Sequence, residues 1–242
     1  MQPSDYRPKV PNELIGKPAQ LAAAMMHRIT ELKHEKDSRL KLLLYGPPGN
    51  GKTTLAEMIA LALVNDRAEI ERTIGGDLKV DTVRAWNRSS CYNSLFGGWI
   101  VRLVNEVDLV TCEAENSMLE YLDNLPPTHA VIATTNGEVG KMRERYRTRF
   151  QYVQMPQPTG EEIAAWLRSK WQLTGNIADW IATSCCGNVR DALNQASTYL
   201  MTGELPVSVA EKKMPMSEWV EKHPFLAKRA IEAAAKERKV AA

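Results

Sequence analysis

The short apolar run Leu40-Lys41-Leu42-Leu43-Leu44-Tyr45 leads straight into Gly46-Pro47-Pro48-Gly49-Asn50-Gly51-Lys52-Thr53, and a helical pattern follows at once. The first segment reads as a buried strand. Thr54 to Val64 reads as a helix, with Leu55, Met58, Ile59 and Leu63 on one face. Strand, glycine-rich loop and helix in that order are the context a phosphate-binding loop requires. Glycines let successive backbone N–H groups turn inward, and the helix N-terminus adds partial positive charge there. Lys52 would reach the β- and γ-phosphates of a nucleotide, and the Thr53 hydroxyl would hold Mg²⁺. Gly46, Pro47, Pro48, Gly49, Asn50, Gly51, Lys52, Thr53 and Thr54 are thus candidate nucleotide-binding residues.

The rest of the chain suits a sheet built around that loop. A helix is expected from about 18 to 34, with Leu21, Met25, Ile29 and Leu32 at helical spacing. Strand and helix signals then alternate: strands at 68–74, 99–104, 130–135 and 150–155, helices from 81 and over 114–124. That order predicts an α/β fold, a parallel sheet covered by helices. Pro156-Gln157-Pro158-Thr159-Gly160 breaks the alternation, and 161–172, 177–184 and 189–201 read as a small helical unit. The expected division is an arm over 1–17, a nucleotide-binding domain over 18–156, a helical lid over 157–202 and an extension over 203–242. The proline-rich arm is expected to be extended with little structure of its own, and the extension to carry a last helix over 224–240.

With 44% hydrophobic and 25% charged residues in 242, the chain can bury a real core. No apolar run approaches membrane-spanning length, and Met1-Gln2-Pro3-Ser4-Asp5 has no signal-peptide apolar region, so a cytoplasmic protein with no membrane partner is expected. Cys91, Cys112, Cys185 and Cys186 have neither metal-ligand spacing nor a disulfide framework, and are expected to be reduced and mostly buried. The net charge of +2 does not by itself demand a nucleic-acid partner.

Hydrolysis of a nucleotide needs a carboxylate near the metal and a group that orients water. The strand Trp99-Ile100-Val101-Arg102-Leu103-Val104 ends in Asn105-Glu106-Val107-Asp108, at the carboxyl end of a parallel strand, where such groups belong. Glu106 can polarise water. Asn105 stands where a metal-associated aspartate is expected; its amide oxygen can accept from a Mg²⁺-bound water but carries no charge. Val131 to Thr135 is another apolar strand, and Asn136 after it would point toward the γ-phosphate or the water, although Asn-Gly is also a plain turn signal. The charged run 141–149 is either a solvated helix face or a source of an arginine presented to a neighbouring subunit's nucleotide.

These motifs together resemble AAA+ ATPases, and within them the small subunits of sliding-clamp loaders. Tyr6-Arg7-Pro8 followed by Leu14-Ile15-Gly16 resembles the family's arm, whose backbone embraces adenine. Gly46–Thr53 resembles Walker A, Asn105–Asp108 Walker B, and Asn136 the sensor 1 position. Thr148-Arg149-Phe150 resembles the Ser-Arg-Cys box, and Gly187-Asn188-Val189-Arg190-Asp191 the lid box with Arg190 as sensor 2. The resemblance implies ATP and Mg²⁺ as cofactors, an ATPase site at a subunit interface, and self-association or a heteromeric ring. It also implies DNA and a replication or recombination protein as partners. Arg84, on the helix from Asp81, matches a DNA-backbone contact of the family, against the alternative of a solubilising surface charge.

The chain departs from the pattern twice. Asn105 replaces the Walker B aspartate. Residues 203–242 are too few for the helical collar that holds clamp-loader pentamers together, so assembly of the ordinary clamp-loader kind is not expected. Two other readings stand beside the clamp-loader type: a helicase loader or DNA-associated remodeller of plasmid or phage kind, and a nucleotide-gated scaffold with little turnover.

Overall fold

In the computed structural model, residues 3–205 are described, apart from 138, 139, 141 and 142; the helix expected over 224–240 lies outside the described residues. Five strands form one parallel sheet: β1 (Leu40–Tyr45), β2 (Ile70–Ile74), β3 (Ile100–Asn105), β4 (His129–Thr135) and β5 (Gln151–Gln154). Their order across the sheet is β2-β3-β4-β1-β5. β1 is paired with β4 from Leu40↔Ala130 to Tyr45↔Thr135, and with β5 from Leu42↔Gln151 to Tyr45↔Gln154. The P-loop therefore leaves the carboxyl edge of an inner strand.

Both faces of the sheet are covered, so its inner strands bury apolar side chains on both faces rather than on one alone. On one face Leu42 and Leu44 meet Leu55, Ile59 and Leu63 of α2 (Lys52–Leu63), with Ala22 and Ile29 of α1 (Lys17–Lys33). On the other, Leu43, Val131 and Ala133 meet Val83 and Trp86 of α3 (Val80–Ser89) and Met118, Tyr121 and Leu122 of α4 (Cys112–Asp123). Successive β1 side chains thus serve opposite layers. Leu55, Ile59 and Leu63 are fully buried; each such side chain stabilises by about 1.5–3 kcal/mol. The spacing of these apolar residues on α2 is what orients the N-terminus of that helix at the loop.

A short α5 (Glu144–Arg147) precedes β5, and three helices follow: α6 (Gly160–Trp171), α7 (Gly175–Ser184) and α8 (Val189–Thr202). Thr159 starts α6 with a reciprocal capping box, its hydroxyl accepting from the Glu162 amide at 3.2 Å while Glu162 accepts from the Thr159 amide at 2.8 Å. The described residues up to Ser197 form one compact unit.

Three expectations need correction. The arm is not featureless: it makes 3₁₀ turns at Pro3–Asp5 and Pro11–Glu13, and Tyr6, Leu14 and Ile15 are buried. Its prolines mask apolar anchors that only tertiary packing reveals. The cysteines are not mostly buried, since Cys91, Cys112 and Cys186 are exposed and only Cys185 is inside. Finally, β2 begins at Ile70 rather than 68, because the Asp66 carboxylate accepts from the Ala68 amide and tightens 67–69 into a 3₁₀ turn.

Candidate nucleotide-binding site

Lys52 opens α2 and is buried, although lysine is rarely found inside without a partner. Its Nζ donates to the Pro47 carbonyl at 2.7 Å and to the Asn50 Oδ1 at 3.4 Å. Burial, with the charge of Arg190 added, brings its pKa down to about 8, while Asp108 and Glu106 pull the other way. Charged side chains from two other segments, the end of β3 and the start of α8, thus act on the lysine of the loop. Asn50, also buried, ties the loop to the end of β5 by donating to the Met155 carbonyl at 2.9 Å. That contact spans the chain, and it holds the cradle against the strand next to β1.

The loop opens into a cavity of about 700 Å³. The arm contributes Tyr6, Arg7, Pro8 and Ile15; the loop and α2 contribute Gly49, Asn50, Gly51, Thr53 and Thr54; α8 contributes Arg190. Gly46, Pro47, Pro48 and Lys52 do not line the cavity, and Gly16 is the N-cap of α1, against the Glu162 carboxylate. The sequence reading missed Pro18, Met58, Leu61 and Leu193, which join Leu14 and Val189 of the motifs as apolar walls, together with Lys9, Glu13, Glu57 and Arg67. Their helical spacing marked some of them as core, and nothing local said that a cavity would pass them. An apolar cavity with a few converging polar groups is the form ligand sites take.

Gly49 has φ +77, and a side chain there would collide with Asn188, whose Oδ1 is 1.7 Å from the position of an added Cβ. The loop and the start of α8 therefore touch through a glycine backbone. The arm is linked to α6 in another way. The Tyr6 ring lies 5.2 Å from Trp166 and 6.4 Å from Trp171, with the Lys170 Nζ 5.6 Å from its centroid. Its hydroxyl donates to the Glu13 carbonyl at 2.9 Å, and burial raises its pKa, as does Glu13.

The second motif stands at the ends of β3 and β4. Asn105 closes β3, and its Oδ1 accepts from the Thr134 hydroxyl at 3.0 Å. The same hydroxyl accepts from the Glu106 amide at 3.3 Å. Glu106 is left-handed, φ 53 and ψ 52, and its side chain is exposed. Its carbonyl oxygen sits 2.1 Å from where a Cβ on residue 75 would be, so only glycine fits at Gly75. Asp108 accepts from the Thr135 hydroxyl at 2.6 Å. Thr134 and Thr135, both buried, thus pin the motif to β4. Asn136 follows directly and is exposed.

Arg149 and Arg84 are not in the cavity lining. Arg149 forms a two-pronged pair with Asp123, Nε to Oδ1 and Nη2 to Oδ2, each 2.7 Å. Arg84 is exposed on α3 beside Asp81, at 3.3 Å. In the charged run, Arg143 pairs with Glu115 at 3.2 Å; Lys141 lies outside the described residues. No helix among the described residues is long and apolar enough to cross a membrane.

The model of the ATPase family associated with various cellular activities (AAA) matches residues 42–157, from β1 to just past β5. Among curated relatives, Probable replication factor C subunit 5 of Dictyostelium discoideum is 25% identical over 202 residues, covering 78% of this chain and 56% of the relative. The Holliday junction branch migration complex subunit RuvB of Phytoplasma mali is 30% identical over 166 residues, 62% of this chain and 47% of the relative. A Lon protease of Methanosarcina barkeri is 34% identical over 113 residues, 39% of this chain and 13% of the relative. The chain thus spans about half or less of the length of these relatives. Among solved structures, a variant of RuvB from Thermotoga maritima has the same fold at a TM-score of 0.64, with 21% identity over 85% of this chain and 70% of that one.

Proposed function

From the match of the AAA ATPase family model to residues 42–157, we propose that this protein binds ATP with Mg²⁺ and hydrolyses it at a subunit interface to remodel a DNA replication or recombination complex in the cytoplasm. The observation that carries the reading is the glycine loop with Lys52 buried at its end, whose Gly49, Asn50, Gly51, Thr53 and Thr54 line the 700 Å³ cavity together with Arg190. Lys52 would exchange the Pro47 carbonyl for phosphate oxygens. Glu106 would polarise the attacking water and Asn136 would position it. Arg190 would read the γ-phosphate from α8, and Arg149 would act on a neighbour's nucleotide. The base would lie against the arm, beside Tyr6, Arg7, Pro8, Ile15 and Gly16.

The oxygen donors present suit Mg²⁺: the Thr53 hydroxyl at the cavity, and Asn105 between Thr134 and the exposed carboxylates of Glu106 and Asp108. Bound there, Mg²⁺ would offset charge on the transferred phosphoryl oxygens. In this division of labour the arm (1–17) and lid (157–202) close on a domain over 18–156, and lid movement turns hydrolysis into a change of grip. The names of two relatives, one a replication factor and one a branch-migration subunit, support a DNA-associated client, with Arg84 as a backbone contact. A second reading rests on Asn105: it brings no charge, and its oxygen is already engaged by Thr134. That favours a nucleotide-gated scaffold. Phosphate release with and without single-stranded or primed DNA decides between them. DNA-stimulated turnover supports the ATPase, and none under any condition supports the scaffold.

A further inference from the structure

We propose that Asp123 is a positioning residue that presents the Arg149 guanidinium end-on, so that one copy of the chain takes two oxygens of a phosphoryl group bound by its neighbour. The inference rests on the ATP site completed in trans described above, and adds the residue that aims its arginine.

Arg149 lies in the turn between α5 and β5, and Asp123 is the last residue of α4. A guanidinium has five N–H donors in a fixed planar fork. Asp123 takes one from Nε and one from Nη2, side-on, at 2.7 Å each. The Arg145 carbonyl takes one from Nη1. Two donors are left, one on each Nη. With the side chain 29% exposed, a second chain can approach them. Two N–H groups of one guanidinium can reach two oxygens of one phosphate.

The pair has little structural reason to exist. An aspartate at the C-terminal end of a helix opposes the helix dipole, so Asp123 does not serve α4. With Asp123 49% exposed, the ion pair also adds little stability. What it does is remove the freedom of an otherwise flexible side chain. Immobilising a transition-state contact before the neighbour arrives lowers the entropy lost at that step. The hydrogen bond from Arg149, with the charges of Arg149 and Lys41 added, holds the Asp123 carboxyl below its ordinary range.

The test compares Asp123→Asn, Asp123→Ala, Asp123→Glu, Arg149→Ala and the double variant Asp123→Ala/Arg149→Ala in the full chain. Two quantities are read: steady-state kcat and KM for ATP, and association driven by a non-hydrolysable ATP analogue, measured by sedimentation. Arg149→Ala is expected to lower kcat about a thousandfold. Asp123→Asn and Asp123→Ala are expected to lower it about ten- to a hundredfold with KM unchanged. Asp123→Glu should recover part of the loss, and the double variant should be no worse than Arg149→Ala alone. If the wild type binds ATP without turnover, association decides, and it should weaken in both Asp123→Asn and Arg149→Ala. Impairment by Arg149→Ala with wild-type behaviour of Asp123→Asn overturns the positioning role alone. If Arg149→Ala changes neither quantity, the trans reading fails and takes this proposal with it.

Discussion

The buried Lys52 makes ATP affinity a function of pH, with a sign and size that follow from its surroundings. In the free protein its pKa is about 8, against an ordinary value of 10.5. Phosphates placed at Nζ favour the charged form, so binding returns the pKa toward or above the ordinary value. Below pH 8 the free protein already carries the proton. Above it, a proton must be taken up for ATP to bind. The charged fraction falls from about nine-tenths at pH 7 to about one-thirtieth at pH 9.5. Affinity should therefore fall about thirtyfold across that range, or about 2 kcal/mol. Folding stability of the free protein should move the opposite way. Between about pH 8 and 10.5 the unfolded lysine holds a proton that the folded one has lost, so this group makes stability rise with pH there. Isothermal titration calorimetry at pH 7, 8.5 and 9.5, in buffers of different ionisation enthalpy, reads both affinity and proton uptake. Uptake should approach one proton per site at pH 9.5. Lys52→Arg, which stays charged, should bind with a flat profile. A flat affinity in the wild type, or an equally steep fall in Lys52→Arg, would refute the assignment of Lys52 as the phosphate contact.

Other outcomes follow from single contacts. Asn105→Asp is close to isosteric and keeps the Thr134 hydroxyl bond; phosphate-release assays should show turnover raised about tenfold or more, since a full charge is added beside the metal position. Gly49→Ala places a methyl on Asn188 at a left-handed φ, and calorimetry should show ATP binding lost, with a melting shift equivalent to about 1–3 kcal/mol. Tyr6→Ala empties the contact with Trp166 and Trp171; denaturant titration should give a loss of about 3–5 kcal/mol if the arm unfolds together with the domain. Arg84→Ala should lower the slope of log affinity for DNA against log salt by about one phosphate contact, and an unchanged slope removes Arg84 from the interface.

The parts that could be read before the structure are those whose partners are near in sequence. β1, the loop and α2 are contiguous, so one stretch of chain carries their apolar spacing and their glycines, although α2 begins at Lys52 rather than 54. The parallel sheet followed from strand and helix alternation. What stayed hidden depends on distant partners. Thr134 and Thr135 hold Asn105 and Asp108 across 29 and 27 residues, and Asp123 meets Arg149 across 26. No local pattern marks such pairs. The arm misled for the same reason: its prolines argue for an extended chain, and Tyr6 is buried only because Trp166 and Trp171 arrive from α6.

The pairing of β1 with β4 has a mechanical consequence. Tyr45 and Thr135 are in register, so Gly46 and Asn136 leave the sheet side by side, each one residue beyond a paired position. All seven residues of β4 are buried, and β1 is clamped between two neighbours. The spacing between the phosphate cradle and Asn136 is thus set by a hydrogen-bonded ladder that cannot slip by one residue without turning its buried side chains to the opposite face. This pair behaves as the stationary jaw of a vice. Any stroke linked to the nucleotide falls to the arm and α8, which border the same cavity from outside the sheet.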